Sequence, residues 1–201
     1  MEPKPVIKRI LIANRGEIAV RVIRSCRELG IESVAVYSTA DKNSLHVLLA
    51  DKAVCIGEAS SAKSYLVKEN IIMAALGTGC DAIHPGVGFL SENAAFARAV
   101  EKAGLIFIGP SPDVIDLLGD KVQARNTAKK YGLPVTPGTR GAVTNAESAM
   151  KEISKIGFPV IIKAASGGGG KGMRIVRKEQ ELAENLSLAS REAEANFSDG
   201  T

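Results

Sequence analysis

Tryptophan is absent from this sequence, and three tyrosines and five phenylalanines are all the large aromatic rings that 201 residues offer. Surfaces that stack the bases of single-stranded nucleic acid are built on such rings, and the net charge of +4 is spread along the chain rather than gathered in a basic stripe. No nucleic-acid partner is therefore expected. No apolar run approaches the ~18 residues needed to cross a bilayer, so no membrane role is expected either. The opening MEPKPVIKRILIANRG holds an apolar run of four residues, too short for the core of a secretory signal. Cysteine is scarce. Cys26, Cys55 and Cys80 are odd in number, widely spaced and set among apolar neighbours, which reads as reduced core thiols in a reducing compartment. These absences point to a cytoplasmic protein, or to the mitochondrial matrix if the source is eukaryotic, although no transit peptide is evident. No metal-ligand spacing occurs.

What is present is the balance of a folded domain, with 45% hydrophobic and 24% charged residues. Short β-branched runs at 6–13, 33–38, 53–57, 81–84 and 105–109 alternate with segments of helical period at 16–29, 64–76 and 91–103. Each helical segment closes on a glycine placed as a helix C′ residue: Gly30, Gly77 and Gly104. Strands that alternate with helices predict an α/β fold, a mostly parallel sheet with helices on both faces. Beyond it, SPDVIDLLG and DKVQARNTAKKYG read as two helices in series, the second starting after Asp120. LPVTPGT then breaks the chain with two prolines. The remainder reads as α, β, loop, β, α, the beginning of an α+β subdomain. The expected division is a domain over 1–110, a helical connector over 111–138 and a partial second domain over 139–201. Two strands and two helices are too few to bury both faces of a sheet, so this second part is expected to be truncated or to lack a partner.

Two places could hold an anion. The first βα turn, ANRGEIA, has one glycine where a dinucleotide fingerprint needs three, and Asn14 with Glu17 is spaced to cap the helix reciprocally, which argues against NAD or FAD. The second is VIIKAASGGGGKGM at 160–173, four glycines between Lys163 and Lys171. Walker A fails there, because Gly172 stands where Ser or Thr must bind the metal. A G-x-G-x-x-G match from Gly167 to Gly172 also fails in context, since MRIVR follows as a strand rather than as a helix. A glycine-rich flap between two strands remains, its amides free to approach phosphate oxygens, with Lys163 on the strand beneath. A mobile linker is the competing explanation. Lys121 falls at the first position of a helix, where the macrodipole is already positive, and would welcome an anion beside it. His84 reads as a satisfied core histidine, and Glu92 as a first-turn helix acid. Arg21, Arg24 and Glu28 share one helix face.

In order and spacing, ANRGEIAVRVIR, STADKNSLHVLLAD, HPGVGFLSEN, IFIGP, GDK and PVIIKAASGGGGKGMRIV resemble the amino-terminal part of biotin carboxylase, the ATP-grasp component of acetyl-CoA, propionyl-CoA and pyruvate carboxylases. The resemblance covers the whole chain. It implies a Rossmann-like domain followed by the start of an ATP-grasp subdomain, and a ligase that uses ATP, Mg2+ and bicarbonate to carboxylate biotin on a carrier protein. Lys121 and Lys163 match the family's ATP-binding lysines, and Gly169 and Gly170 its flap. Ile161 and Met173 match apolar walls for adenine, with ordinary core packing as the alternative. The same resemblance implies a homodimer using the helix of Arg21, Arg24 and Glu28, a biotin carboxyl carrier protein or domain, and a carboxyltransferase component. It places the metal-binding carboxylates, the basic residues that contact bicarbonate and biotin, and the acid-base glutamate beyond Thr201, so no catalytic residue is expected in this chain. Val87 departs from the pattern, which usually has Tyr there in the loop facing the catalytic cleft. Two alternatives stay open: a non-catalytic assembly or regulatory module, and a plain nucleotide-binding fragment of another ATP-grasp enzyme such as carbamoyl-phosphate synthetase.

Overall fold

The computed structural model describes residues 6–139, 141–165, 173–197 and 199–201. The chain divides into two compact units, Met1–Ile115 and Asp116–Thr201. The first is built on five strands, β1 (Arg9–Ile12), β2 (Glu32–Ser38), β3 (Lys52–Gly57), β4 (Ala82–His84) and β5 (Ile106–Phe107), in the order β3-β2-β1-β4-β5. All pairings are parallel, with Ile10 opposite Ser33 on one side of β1 and opposite Ala82 on the other.

Burial on both faces explains the continuous apolar runs. Ile10, Ile12 and Ala82 pack with Ala19, Ile23 and Cys26 of α1 (Gly16–Glu28), next to α2 (Leu45–Leu49). On the other face Leu11, Val34, Val36 and Ile83 pack with Ile71 and Ala75 of α3 (Lys68–Gly77) and with Phe96, Ala97 and Val100 of α4 (Ala94–Lys102). Ile115, in α5 (Pro112–Gly119), closes this second cluster.

Several local expectations are corrected. Gly77 is the last residue of α3 rather than its C′ residue; Thr78 is the C-cap, and Gly79 takes the left-handed φ of +66°. The helix begins at Lys68, later than the apolar period suggested: a 3₁₀ turn at Ser61–Lys63 precedes the expected start, and Tyr65, its ring fully buried, lies where the first turn was expected. Glu92 precedes α4, whose N-cap is Asn93, with Oδ1 accepting from the Phe96 amide at 2.8 Å. Cys55 is exposed, since β3 is an edge strand; Cys26 and Cys80 are buried, and all three are free thiols.

The second unit contains α6 (Lys121–Lys130), α7 (Ala146–Ile153), α8 (Leu182–Phe197) and an antiparallel pair, β6 (Val160–Ile162) with β7 (Arg174–Val176). Ile161 lies opposite Ile175. Val160, Ile162 and Val176 form one apolar layer with Ala149, Ile153 and Leu182. Arg174 anchors β7 to α8 through Glu192 at 2.6 Å.

Candidate functional site: a cationic cavity and a clamped loop

Strand alternation turns Ile161, Lys163, Met173 and Ile175 to the face of the hairpin opposite that core. All four are exposed, Ile161 and Ile175 at 56% and Met173 at 44%. Core packing therefore does not account for Ile161 or Met173. Gly169, Gly170 and Lys171 lie outside the described residues.

A cavity of about 860 Å3, within the usual range for a small-molecule pocket, lies in the second unit. Its walls include Lys121, Arg125, Ile161 and Lys163, while among the described residues Met173 stands outside them. Three of the four sequence-selected side chains resolved there are thus brought together. Among the described residues the lining holds three cations and no aspartate or glutamate. Asp120 supplies the local order: it is the N-cap of α6, and its Oδ1 accepts from the amides of Val122 and Gln123, both at 2.8 Å. The Gln123 amide bond is the main cause holding its carboxyl below the usual carboxylate range, and the Val122 amide adds to it. Lys121 follows as the first helical residue, and its Nζ donates to the Ala165 carbonyl oxygen at 3.4 Å.

Arg125 was not singled out from the sequence. Its signal is the i, i+4 spacing from Lys121 on α6, which puts both cations on one face. Arg125 Nη2 reaches the Gly138 carbonyl oxygen at 3.5 Å, and its Nε is buried with no partner among the described residues.

In the first unit, the crevice at the carboxyl end of the sheet, where strand order reverses between β1 and β4, is the usual ligand position of such folds. The protein's own loop fills it. Asn14 does not cap α1: the N-cap is Arg15, with no side-chain cap bond. Buried to 3% exposure, Asn14 instead donates from Nδ2 to the carbonyl oxygens of Pro85 and Val87, both at 2.9 Å, and accepts the Arg15 amide at Oδ1. The expected Asn14–Glu17 box therefore does not form, because two loop carbonyls claim the amide. A dinucleotide is still disfavoured, now because loop 85–88 packs on the first turn of α1, so closely that a Cβ on Gly86 would come within 2.8 Å of Ile18. Val87 stands 72% exposed at the loop tip.

His84 supports this loop rather than serving only as core, since its Nδ1 accepts the Gly86 amide at 3.0 Å. Burial pushes its imidazole pKa down, and does the same to His46, whose ring is 1% exposed and lies 3.2 Å through Nε2 from the Val36 carbonyl oxygen. Both rings favour the neutral form in the folded state, so their contribution is present above the ordinary imidazole pKa of ~6.5 and is lost as pH falls below it. The thermal midpoint is expected to be level down to about pH 7 and to fall between roughly pH 6.5 and 5. Calorimetry across this range checks it; a fall confined to below about pH 4 would assign acid sensitivity to carboxylates instead.

On α1, Arg21, Arg24 and Glu28 are exposed and line one groove with Ser44 and Leu45.

Residues 6–115 match the family described as biotin carboxylase, N-terminal domain, and residues 120–201 match the carbamoyl-phosphate synthase L chain, ATP binding domain. The chain is 58% identical over 193 residues to the biotin carboxylase of Haemophilus influenzae, and 55% over 192 residues to biotin carboxylase 1 of Bacillus subtilis. In each case 96% of this chain is covered but only 43% of the relative. Among solved structures, a Campylobacter jejuni biotin carboxylase complexed with β,γ-ATP superposes with a TM-score of 0.93 at 48% identity, covering 98% of this chain and 44% of that one. The biotin carboxylase domain dimer of Hydrogenobacter thermophilus 2-oxoglutarate carboxylase, with MgADP, ADP and bicarbonate, gives 0.91 at 46% identity, over 98% of this chain and 43% of that one.

Proposed function

Because this chain belongs to the biotin carboxylase family through its N-terminal domain, we propose that it is the amino-terminal part of an enzyme that carboxylates biotin on a carrier protein. In that reaction ATP and bicarbonate give carboxyphosphate and ADP, and the carboxyl group passes to a ureido nitrogen of biotin. The observation that carries the reading is the cavity lined by Lys121, Arg125 and Lys163, with no aspartate or glutamate in its walls among the described residues. Phosphoryl transfer rests on positioning and charge neutralisation, which these cations supply for a polyphosphate. Lys121 and Lys163 are assigned to the phosphates, Ile161 and Met173 to the adenine, and the amides of Gly169 and Gly170 to the flap above. Among the described residues no three His, Cys, Asp or Glu side chains gather to hold a metal ion. The ligands of Mg2+ are assigned to the remainder of the enzyme.

The proposed division is a Rossmann-like domain over 1–110, a connector over 111–138 and part of an ATP-grasp subdomain over 139–201. The proposed partners are a second copy docked on the α1 groove, a biotin carboxyl carrier and a carboxyltransferase, in the cytoplasm. The final acceptor is proposed to be of the acetyl-CoA, propionyl-CoA or pyruvate type, the first serving fatty acid synthesis.

Two assays test the reading. The complete enzyme is expected to release ADP only with bicarbonate and to speed up with biotin; failure to fix labelled bicarbonate on biotin would overturn it. The 201-residue chain alone, which spans 43% of its Haemophilus influenzae and Bacillus subtilis relatives, is expected to bind ATP at no better than millimolar affinity, about 4 kcal/mol, with no biotin-dependent ADP release above background. Calorimetric titration and a coupled ADP assay measure these.

A further inference from the structure

The loop after β4 is held in a conformation that its sequence does not favour. Phe89 has a φ of +46°, a region that bulky residues occupy only when the surroundings over-determine it. The Phe89 ring stacks on Tyr65, centroids 4.8 Å apart and planes 7° from parallel. Tyr65 is fully buried, and its hydroxyl donates to Asp41 Oδ2 at 2.8 Å, an oxygen that also accepts from the Ser38 hydroxyl at 2.6 Å. Arg15 joins the parts. Its Cζ lies 5.3 Å from the Tyr65 centroid and 5.4 Å from that of Phe89, and its Nη1 is 3.6 Å from Asp41. A single guanidinium therefore touches the strained residue's ring, the ring stacked on it and the carboxylate that anchors that second ring.

We infer that Arg15 is a positioning residue for the loop Pro85–Leu90, fixing Phe89 from the side while Asn14 fixes Pro85 and Val87 from below. Two clamps converge on the tip Gly86–Val87–Gly88, of which Val87 and Gly88 are exposed, at the switch point of the sheet. A loop that served only to connect β4 with α4 would need neither the strained φ nor a cation shared between two rings. The consequence for turnover rests on the proposed biotin carboxylase function, with this loop facing the catalytic cleft as the resemblance implies: Arg15 belongs to the first unit and is not among the residues lining the cationic cavity of the second, so its loss is expected to change use of the carboxyl acceptor rather than of ATP.

The test has two arms. In the 201-residue chain, Arg15→Met is expected to shift the backbone amide resonances of Gly86, Val87 and Gly88 while leaving those of α3 and β3 in place. In the complete enzyme, the same variant is expected to raise KM for free biotin on the order of tenfold, the factor that one released strained residue corresponds to, with KM for ATP within about twofold. Arg15→Lys restores the charge beside Asp41 but not the planar contact with the rings, so partial recovery is expected. Unmoved loop resonances would overturn the inference. So would shifted resonances with both KM values rising together, because a purely stabilising role predicts that pattern. Should the unmodified complete enzyme fail to carboxylate biotin, the functional reading fails on that control, while the resonances still decide whether Arg15 positions the loop.

Discussion

Replacing Lys163 with glutamine in the complete enzyme is expected to lower kcat/KM for ATP by about tenfold to a hundredfold, the equivalent of one charge-assisted hydrogen bond at ~1.5–3 kcal/mol. Lys163 follows β6 on the exposed face of the hairpin, next to Ile161, and lines the cavity with Lys121 and Arg125. Glutamine keeps length and hydrogen-bonding capacity but removes the cation, so the loss reports charge. Lys151→Gln is the control: its Nζ pairs with Glu147 at 3.0 Å, its side chain is 73% exposed, and it stands outside the cavity's lining. That variant is expected to leave ATP use within about twofold, as surface pairs contribute little. Steady-state kinetics over a range of ATP concentrations, with bicarbonate and biotin saturating, distinguish the two. An unchanged ATP response in Lys163→Gln would leave the glycine run as a linker and the cationic cavity without a polyphosphate.

The parallel sheet was legible because its strands are buried on both faces, which leaves β1 and β2 as continuous apolar runs that no surface helix would carry. The five-residue α2, within SLHVLLA, is mostly apolar and too short to show a helical period. Cys55 was misplaced since a sequence does not say which strand lies at an edge. The Asn14–Glu17 spacing was a real capping signal, and it lost to a tertiary demand seventy residues away, the unsatisfied carbonyls of Pro85 and Val87. At the cavity, Lys121, Ile161 and Lys163 were found through the family resemblance, and local reasoning supported only the two lysines. Arg125 was missed although the i, i+4 relation to Lys121 was there to be used. The difference is physical: periodicity encodes which face of an element is buried, whereas a site depends on which distant backbone groups need partners.

Gly86 and Gly88 separate the two contributions that shape the loop. Both have left-handed φ, +69° and +77°, so alanine at either costs ~1–2 kcal/mol from the clash of its Cβ with the backbone. Only Gly86 is also crowded: a Cβ there would lie 2.7 Å from Asn14 Nδ2, 2.9 Å from Asn14 Cβ and 2.8 Å from Ile18 Cγ2, whereas nothing lies within 4 Å of one on Gly88. Asn14 is buried and cannot swing into solvent, so Gly86→Ala forces its amide off the carbonyls of Pro85 and Val87, which adds ~1–3 kcal/mol for buried groups left unpaired. Gly86→Ala is therefore expected to destabilise the first unit by about 3 kcal/mol, near 10 °C in midpoint, and Gly88→Ala by about half as much. Amide hydrogen exchange along β1 and β4 reports this unit without interference from the second. Under Gly86→Ala, exchange at the Ala13 amide, bonded to the His84 carbonyl oxygen at 2.9 Å, should accelerate more than at any amide of α3. Equal losses for the two variants would mean that the backbone term alone sets the loop, and that the Asn14 clamp contributes nothing beyond it.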